Sequence, residues 1–190
     1  KKKKWYEIIA PKDFNNMGVG EVPTSEPESY VGRKITVNLS TVTNDARKQN
    51  TNITFTIIDF KGAHLSTQTT GISMLQSHVK RFVRKNKEKL DDAFKVVSKD
   101  NKKIEIKPVI VTRVKASNSA LTKVRSIIRE YMKDQASKTF ANQFYNNIIF
   151  GKLQKELKQI TKKVVPVSIL EIRELKTQSI PIKIQKVVPQ

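Results

Sequence analysis

The sequence predicts an α+β fold, a β-sheet decorated by helices. Three observations carry this. Apolar residues recur at every second position in stretches between 33 and 70 and again between 93 and 114. They recur at helical spacing between 117 and 160. Glycine and proline mark several of the changeovers, as at Gly62, Gly71, Gly151 and Pro166. A chain that keeps the period of two and the period of 3.6 in separate stretches belongs to the α+β class. At 190 residues with 37 % apolar content it suits one core. The expected organisation is an extended arm over 1–30, one α+β domain over 31–176 and an extended tail over 177–190.

From the amino end, Lys1, Lys2, Lys3 and Lys4 stand directly against Trp5 and Tyr6. Lysines pair with phosphates and an unpaired base stacks on a ring, so this is a candidate RNA-binding arm. Trp5, the only tryptophan, has a second reading as a core anchor tying the terminus down. Asn15 to Tyr30, with two glycines and two prolines, reads as irregular surface chain. Gly18-Val19-Gly20 lacks the third, helix-opening glycine of a nucleotide loop.

Strands are expected at 33–42, 53–60, 63–70, 93–98, 103–114 and 164–175. Ile35, Val37 and Leu39 alternate with Thr36, Asn38 and Ser40, and Ile53, Phe55 and Ile57 with Thr54 and Thr56. Gly62 opens a turn into the next strand. Asp100-Asn101 tolerates a left-handed turn between the strands on either side. Pro108 cannot donate to a ladder, so its strand is at an edge or kinked there. Val109-Ile110-Val111 is apolar on both faces, which suits a strand covered on both sides. The Asn-x-Ser/Thr sequons at Asn38 and Asn52 are read as accidents of an Asn- and Thr-rich composition.

Helical spacing returns at Met74, Val79 and Phe82. From Lys80 to Lys89 the chain carries Lys80, Arg81, Arg84, Lys85, Lys87 and Lys89 against Glu88 alone. Like charges this dense repel one another, so a helix end and loop of this kind is a candidate phosphate-contacting patch. Asp91-Asp92 beside it reads as partial charge neutralisation. The strand ending at Arg113 and Lys115 leads into the longest helical pattern, capped by Ser117, Asn118 or Ser119. Val124, Ile128 and Met132 form its apolar stripe, and Arg125, Arg129 and Lys133 follow one another along the flank at i, i+4, i+8. A further helix carries Lys152 and Lys155 opposite Leu153, Leu157 and Ile160.

The balance of 37 Lys and Arg against 17 Asp and Glu leaves +20 on the chain. Self-repulsion on that scale destabilises a compact state, so the expected partner is a polyanion. No run approaches the roughly 18 apolar residues of a membrane span, and the cations are spread from end to end rather than gathered on one interfacial helix. Nucleic acid is therefore expected, and no membrane. There are no cysteines, which excludes disulfides, thiolate nucleophiles and Cys-type metal sites. The only histidines are His64 and His78, and no Walker loop, H-E-x-x-H, G-x-S-x-G or EF-hand loop occurs. No catalysis, no metal and no cofactor are expected. An RNA-modifying enzyme would need a cofactor pocket that nothing in the sequence supplies. The chain opens on Lys1 without an apolar signal segment, so the expected localisation is cytoplasmic.

Several pieces, in order along nearly the whole chain, resemble the archaeal and eukaryotic small-subunit ribosomal protein family S-one-e, also called S-three-A-e. They are Lys3-Lys4-Trp5-Tyr6 with Ala10-Pro11 and Phe14, Gly32-Arg33, Thr70-Gly71-Ile72, Val124-Arg125 with Arg129 and Met132, Gly151-Lys152, Pro166 and Ile172-Arg173. The resemblance implies a β-barrel-like sheet, antiparallel or mixed, with helices around it. It implies a structural constituent of the small subunit that binds rRNA phosphates on the platform, near the mRNA exit and the 3′ end of the rRNA. Arg173 joins the RNA-binding candidates on this ground. Implied partners are small-subunit rRNA and neighbouring ribosomal proteins, with messenger RNA at the exit as a further candidate. The segment Arg113 to Ser119 is shorter and less basic than in the eukaryotic form, and that form's large basic C-terminal extension is absent, so an archaeal type is expected. The alternative function is a free-standing RNA-binding or RNA-chaperone protein.

Overall fold

A computed structural model describes residues 2–62 and 64–177. The first two strands, β1 (Lys4–Ile9) and β2 (Gly18–Thr24), form an antiparallel pair, so most of the segment expected as an irregular arm is sheet. Tyr6 and Ile8 point inward at period two, and with Val22 they pack on the small core of Ile57 and Leu65. That burial outweighs the turn-forming composition of β2. Pro23 is tolerated because β2 pairs on one side only. The expected tail lies outside the described residues, apart from Thr177.

β3 (Lys34–Asn38) is shorter than expected. Asn38 accepts a hydrogen bond from the Ser40 backbone N–H and starts α1 (Leu39–Thr43), which buries Leu39 and Val42. β4 (Thr51–Lys61) and β5 (His64–Met74) are a long hairpin around Gly62 at φ +64°. α2 (Gln76–Phe82) ends where apolar spacing gives way to the dense cations. A short β6 (Lys89–Asp91), unforeseen as a separate strand, precedes the hairpin of β7 (Phe94–Val97) and β8 (Lys103–Thr112). Asn101 takes the left-handed conformation in its turn. Then come α3 (Asn118–Lys138), α4 (Ala141–Ile149), α5 (Lys152–Thr161) and β9 (Val167–Thr177). Ser117 caps α3, and the Asp100 carboxylate accepts from the Ala141 N–H to cap α4 from the β7–β8 turn.

The strands form one nine-stranded mixed sheet. β5 gives one edge to β4 and divides the other, pairing parallel with β1 at 64–66 and antiparallel with β9 at 71–73. β8 likewise pairs β9 on one side and shares the other between β7 and β6. The sheet therefore branches and stays open, and the barrel-like closure expected from the resemblance is not formed among the described residues. Pro108 falls between the stretches of β8 that meet β7 and β6, so its strand is interior but irregular rather than at an edge. At the β5–β9 junction a Cβ on Gly71 would meet the Leu175 carbonyl oxygen at 3.3 Å, so a side chain there would crowd the close approach of the two strands. The main core joins α3, α4 and α5 to β7, β8 and β9 and runs on to Phe14, to Leu39 and Val42 of α1 and to Ile53, Phe55 and Ile72 of β4 and β5. Val109, Ile110 and Val111 are all buried, as the doubly apolar run predicts.

Candidate nucleic-acid interface

Chain topology distributes the candidate cations over four places. Lys2, Lys3 and Lys4 are exposed at the start of β1, and Trp5 beside them is 68 % exposed, which ends its reading as a core anchor. Period two turns Tyr6 and Ile8 inward and Trp5 outward. Lys1 lies outside the described residues. His64, across from Glu7 where β1 meets β5, pairs with that carboxylate at 3.4 Å.

The basic block is split by its secondary structure. Lys80 and Arg81 occupy the last turn of α2, where cations complement the helix dipole. Arg84, Lys85 and Lys87 follow in the loop, and Lys89 opens β6, 2.6 Å from Asp91. The loop is tied down at its end. The Thr112 N–H donates to the Glu88 carbonyl, and the Thr112 hydroxyl accepts from the Glu88 N–H. Those bonds bring the block beside exposed Arg113 and Lys115, so two patches far apart in sequence become neighbours.

On α3 the row divides. Arg125 and Lys133 are exposed and have no carboxylate within ion-pair distance among the described residues. Arg129 does not belong with them. Its Nε and one terminal nitrogen donate to the two Asp92 oxygens at 2.7 and 2.6 Å, a bidentate clamp on the β6–β7 connection. The Asp92 side chain is only 9 % exposed. The Arg129 guanidinium holds its carboxyl below the usual carboxylate range, against the burial that would raise it. Asp91-Asp92 thus neutralises cations, as its composition suggests, but through two separate partners. Lys152 and Lys155 are exposed on α5, away from the buried Leu153 and Leu157.

Arg173 stands where β9 bulges. Lys107 opposes Glu174 and Pro108 opposes Ile172, leaving Arg173 without a register partner on β8. It is half-buried, and no carboxylate pairs with it among the described residues. It lines a groove of about 580 Å³ that Lys80 and Lys89 also line. Three candidates from α2, β6 and β9 therefore meet in one concave place. Asn52, Ser73 and Gln76 add uncharged polar groups there, and of these only Asn52 stands out in the sequence, as a sequon. Glu174 is the one acidic residue lining it. It accepts from Lys107 at 2.7 Å and pairs with Lys176, and both partners hold it below the usual carboxylate range.

The amino-terminal patch and the groove lie toward opposite ends of β5, whose 11 residues span roughly 33–36 Å. Of the described candidates, only Lys89 and Arg129 have a carboxylate partner. What remains is a set of uncompensated cations reaching across the sheet. A surface of this kind suits a polyanion, and among the described residues no group of three or more His, Cys, Asp or Glu could hold a metal ion.

The model of the Ribosomal S3Ae family matches residues 1–181. The small ribosomal subunit protein eS1 of Saccharolobus islandicus strain L.S.2.15 is 30 % identical over 188 residues, covering 99 % of this chain and 90 % of that protein. The protein of the same name from Nanoarchaeum equitans is 31 % identical over 174 residues, covering 92 % of this chain and 88 % of its own length. That of Saccharolobus solfataricus is 29 % identical over 188 residues. These relatives are archaeal, as the resemblance implies.

Proposed function

The chain belongs to the ribosomal S3Ae family, and from that premise we propose that it is a structural constituent of the small ribosomal subunit that binds rRNA phosphates. Its place is the platform, near the mRNA exit and the 3′ end of the small-subunit rRNA. One observation supports this most: the basic block apart from half-buried Lys87, the α3 flank and the described amino-terminal lysines are exposed, and most of them lack a carboxylate partner among the described residues. A protein that kept those cations for its own stability would pair them. Residues 31–176 act as one rRNA-binding domain, and β1 and β2 add the first lysines and Trp5 to its surface. Neighbouring ribosomal proteins are partners, and messenger RNA at the exit is a further one. The role is structural and is exercised in the cytoplasm as part of the ribosome. No helix among the described residues is long and apolar enough to cross a membrane.

The test is sedimentation of the tagged chain in a lysate at moderate salt. Co-migration with small subunits that persists through a salt wash is expected. A chain that stays at the top of the gradient, folded and free, would instead be a free-standing RNA-binding or RNA-chaperone protein. Replacing Lys80, Arg84 and Lys85 together by Gln should lower incorporation without lowering the melting temperature.

A further inference from the structure

We propose that the groove between α2, β6 and β9 is a pocket for one unpaired RNA nucleotide, its phosphate gripped by Arg173, Lys80 and Lys89 and its base edge met by Asn52, Ser73 and Gln76. The inference rests on the rRNA-binding reading and narrows it to a site and a kind of ligand.

Arg173 is the reason to look there. It is half-buried as a residue, has no carboxylate partner among the described residues, and lines the groove, so its charge is left for a ligand rather than for the fold. The β9 bulge frees it from the ladder pattern around it, and bulges commonly re-aim a side chain next to a functional site. Its planar fork can hold one phosphate through two parallel hydrogen bonds. Lys80 and Lys89 come to the same groove from α2 and β6. Lys89 already has Asp91 at 2.6 Å, so Arg173 and Lys80 carry more of the grip. The repulsion that Glu174 would exert is offset by its own bonds to Lys107 and Lys176.

The remaining lining decides between a nucleotide and a bare phosphate. Met74, Leu75 and Val79 give the groove an apolar side, and Leu75 is 39 % exposed with nothing covering it. A base can lie on such a surface while amide and hydroxyl groups meet its edge. A volume of about 580 Å³ falls within the ~300–1,000 Å³ usual for small-ligand pockets. In an A-form duplex the bases are stacked inside and only phosphates and the shallow minor groove are offered. Loops and ends present splayed bases that can enter a concave site. The pocket therefore selects single-stranded RNA over duplex.

Full-length protein would be titrated into a fluorescent single-stranded RNA of about ten nucleotides and a blunt duplex of equal phosphate number. Arg173→Gln and Lys80→Gln are expected to weaken single-strand binding about tenfold and duplex binding less than twofold. Lys162→Gln, an exposed cation outside the groove, should affect both RNAs alike. Equal losses on the two RNAs, or none, for the groove variants would overturn the pocket and leave general rRNA binding standing. Wild type that binds neither RNA would overturn both readings. If Arg173→Gln melts far below wild type, Lys80→Gln decides, since its side chain is exposed on α2.

Discussion

Replacing Ile128 by Ala should remove a large part of the stability of this protein while leaving its RNA-facing surface untouched. Ile128 is 1 % exposed, on the α3 stripe formed with Val124, Met132 and Ala136, which are also buried. The change deletes the equivalent of three methylenes, and at ~0.8 kcal/mol each the lost transfer energy is about 2.4 kcal/mol. A residual void of roughly 50–80 Å³ adds about 1–2 kcal/mol at ~24 cal/mol per Å³. The sum, ~3–4.5 kcal/mol, corresponds to a fall in Tm of about 6–18 °C for a chain of this size. Urea unfolding followed by circular dichroism measures it, with Lys133→Gln on the exposed flank as a control that should melt with wild type. A loss for Ile128→Ala below about 1 kcal/mol would mean that α3 does not lie on the main core.

Three further outcomes are expected. Arg129→Gln should lower Tm where Lys133→Gln does not, because it leaves the Asp92 carboxylate without its clamp. The native pKa of Asp92 is depressed, so its contribution is present above the ordinary carboxylate pKa of ~3.9 and is lost as pH falls through the native value. A pH–stability profile of Arg129→Gln should lack that acid-side loss, and a variant with an unchanged profile would refute the pairing. Binding to an rRNA fragment should fall with salt at a log–log slope steeper than about −4, measured by filter binding, and a slope near zero would assign the +20 charge to another partner. Gly71→Val should destabilise by roughly 1–3 kcal/mol through the contact with the Leu175 carbonyl oxygen, read from urea midpoints.

Local pattern made much of this protein legible from its sequence. The α3 stripe, its Ser117 cap and the turns of the β4–β5 and β7–β8 hairpins depend on spacing and turn chemistry within a few residues, and they stand where period and composition put them, although β5 runs on through Gly71 to Met74, past the changeover expected at Gly71. The excess of positive charge and the absence of cysteine are compositional, so the class of partner was readable too. Tertiary contacts decided the rest. Gly18–Thr24 is a strand only because β1 lies beside it and Tyr6 and Val22 share a core with Ile57 and Leu65. Leu39 turns into α1 rather than prolonging β3 because Asn38 caps it and Val42 finds the main core. Arg129 looks like its neighbours Arg125 and Lys133 in sequence, and only the approach of Asp92, 37 residues away, makes it a clamp. The groove joins residues from 52 to 174, and no local pattern encodes which distant side chains a branched sheet gathers at one place.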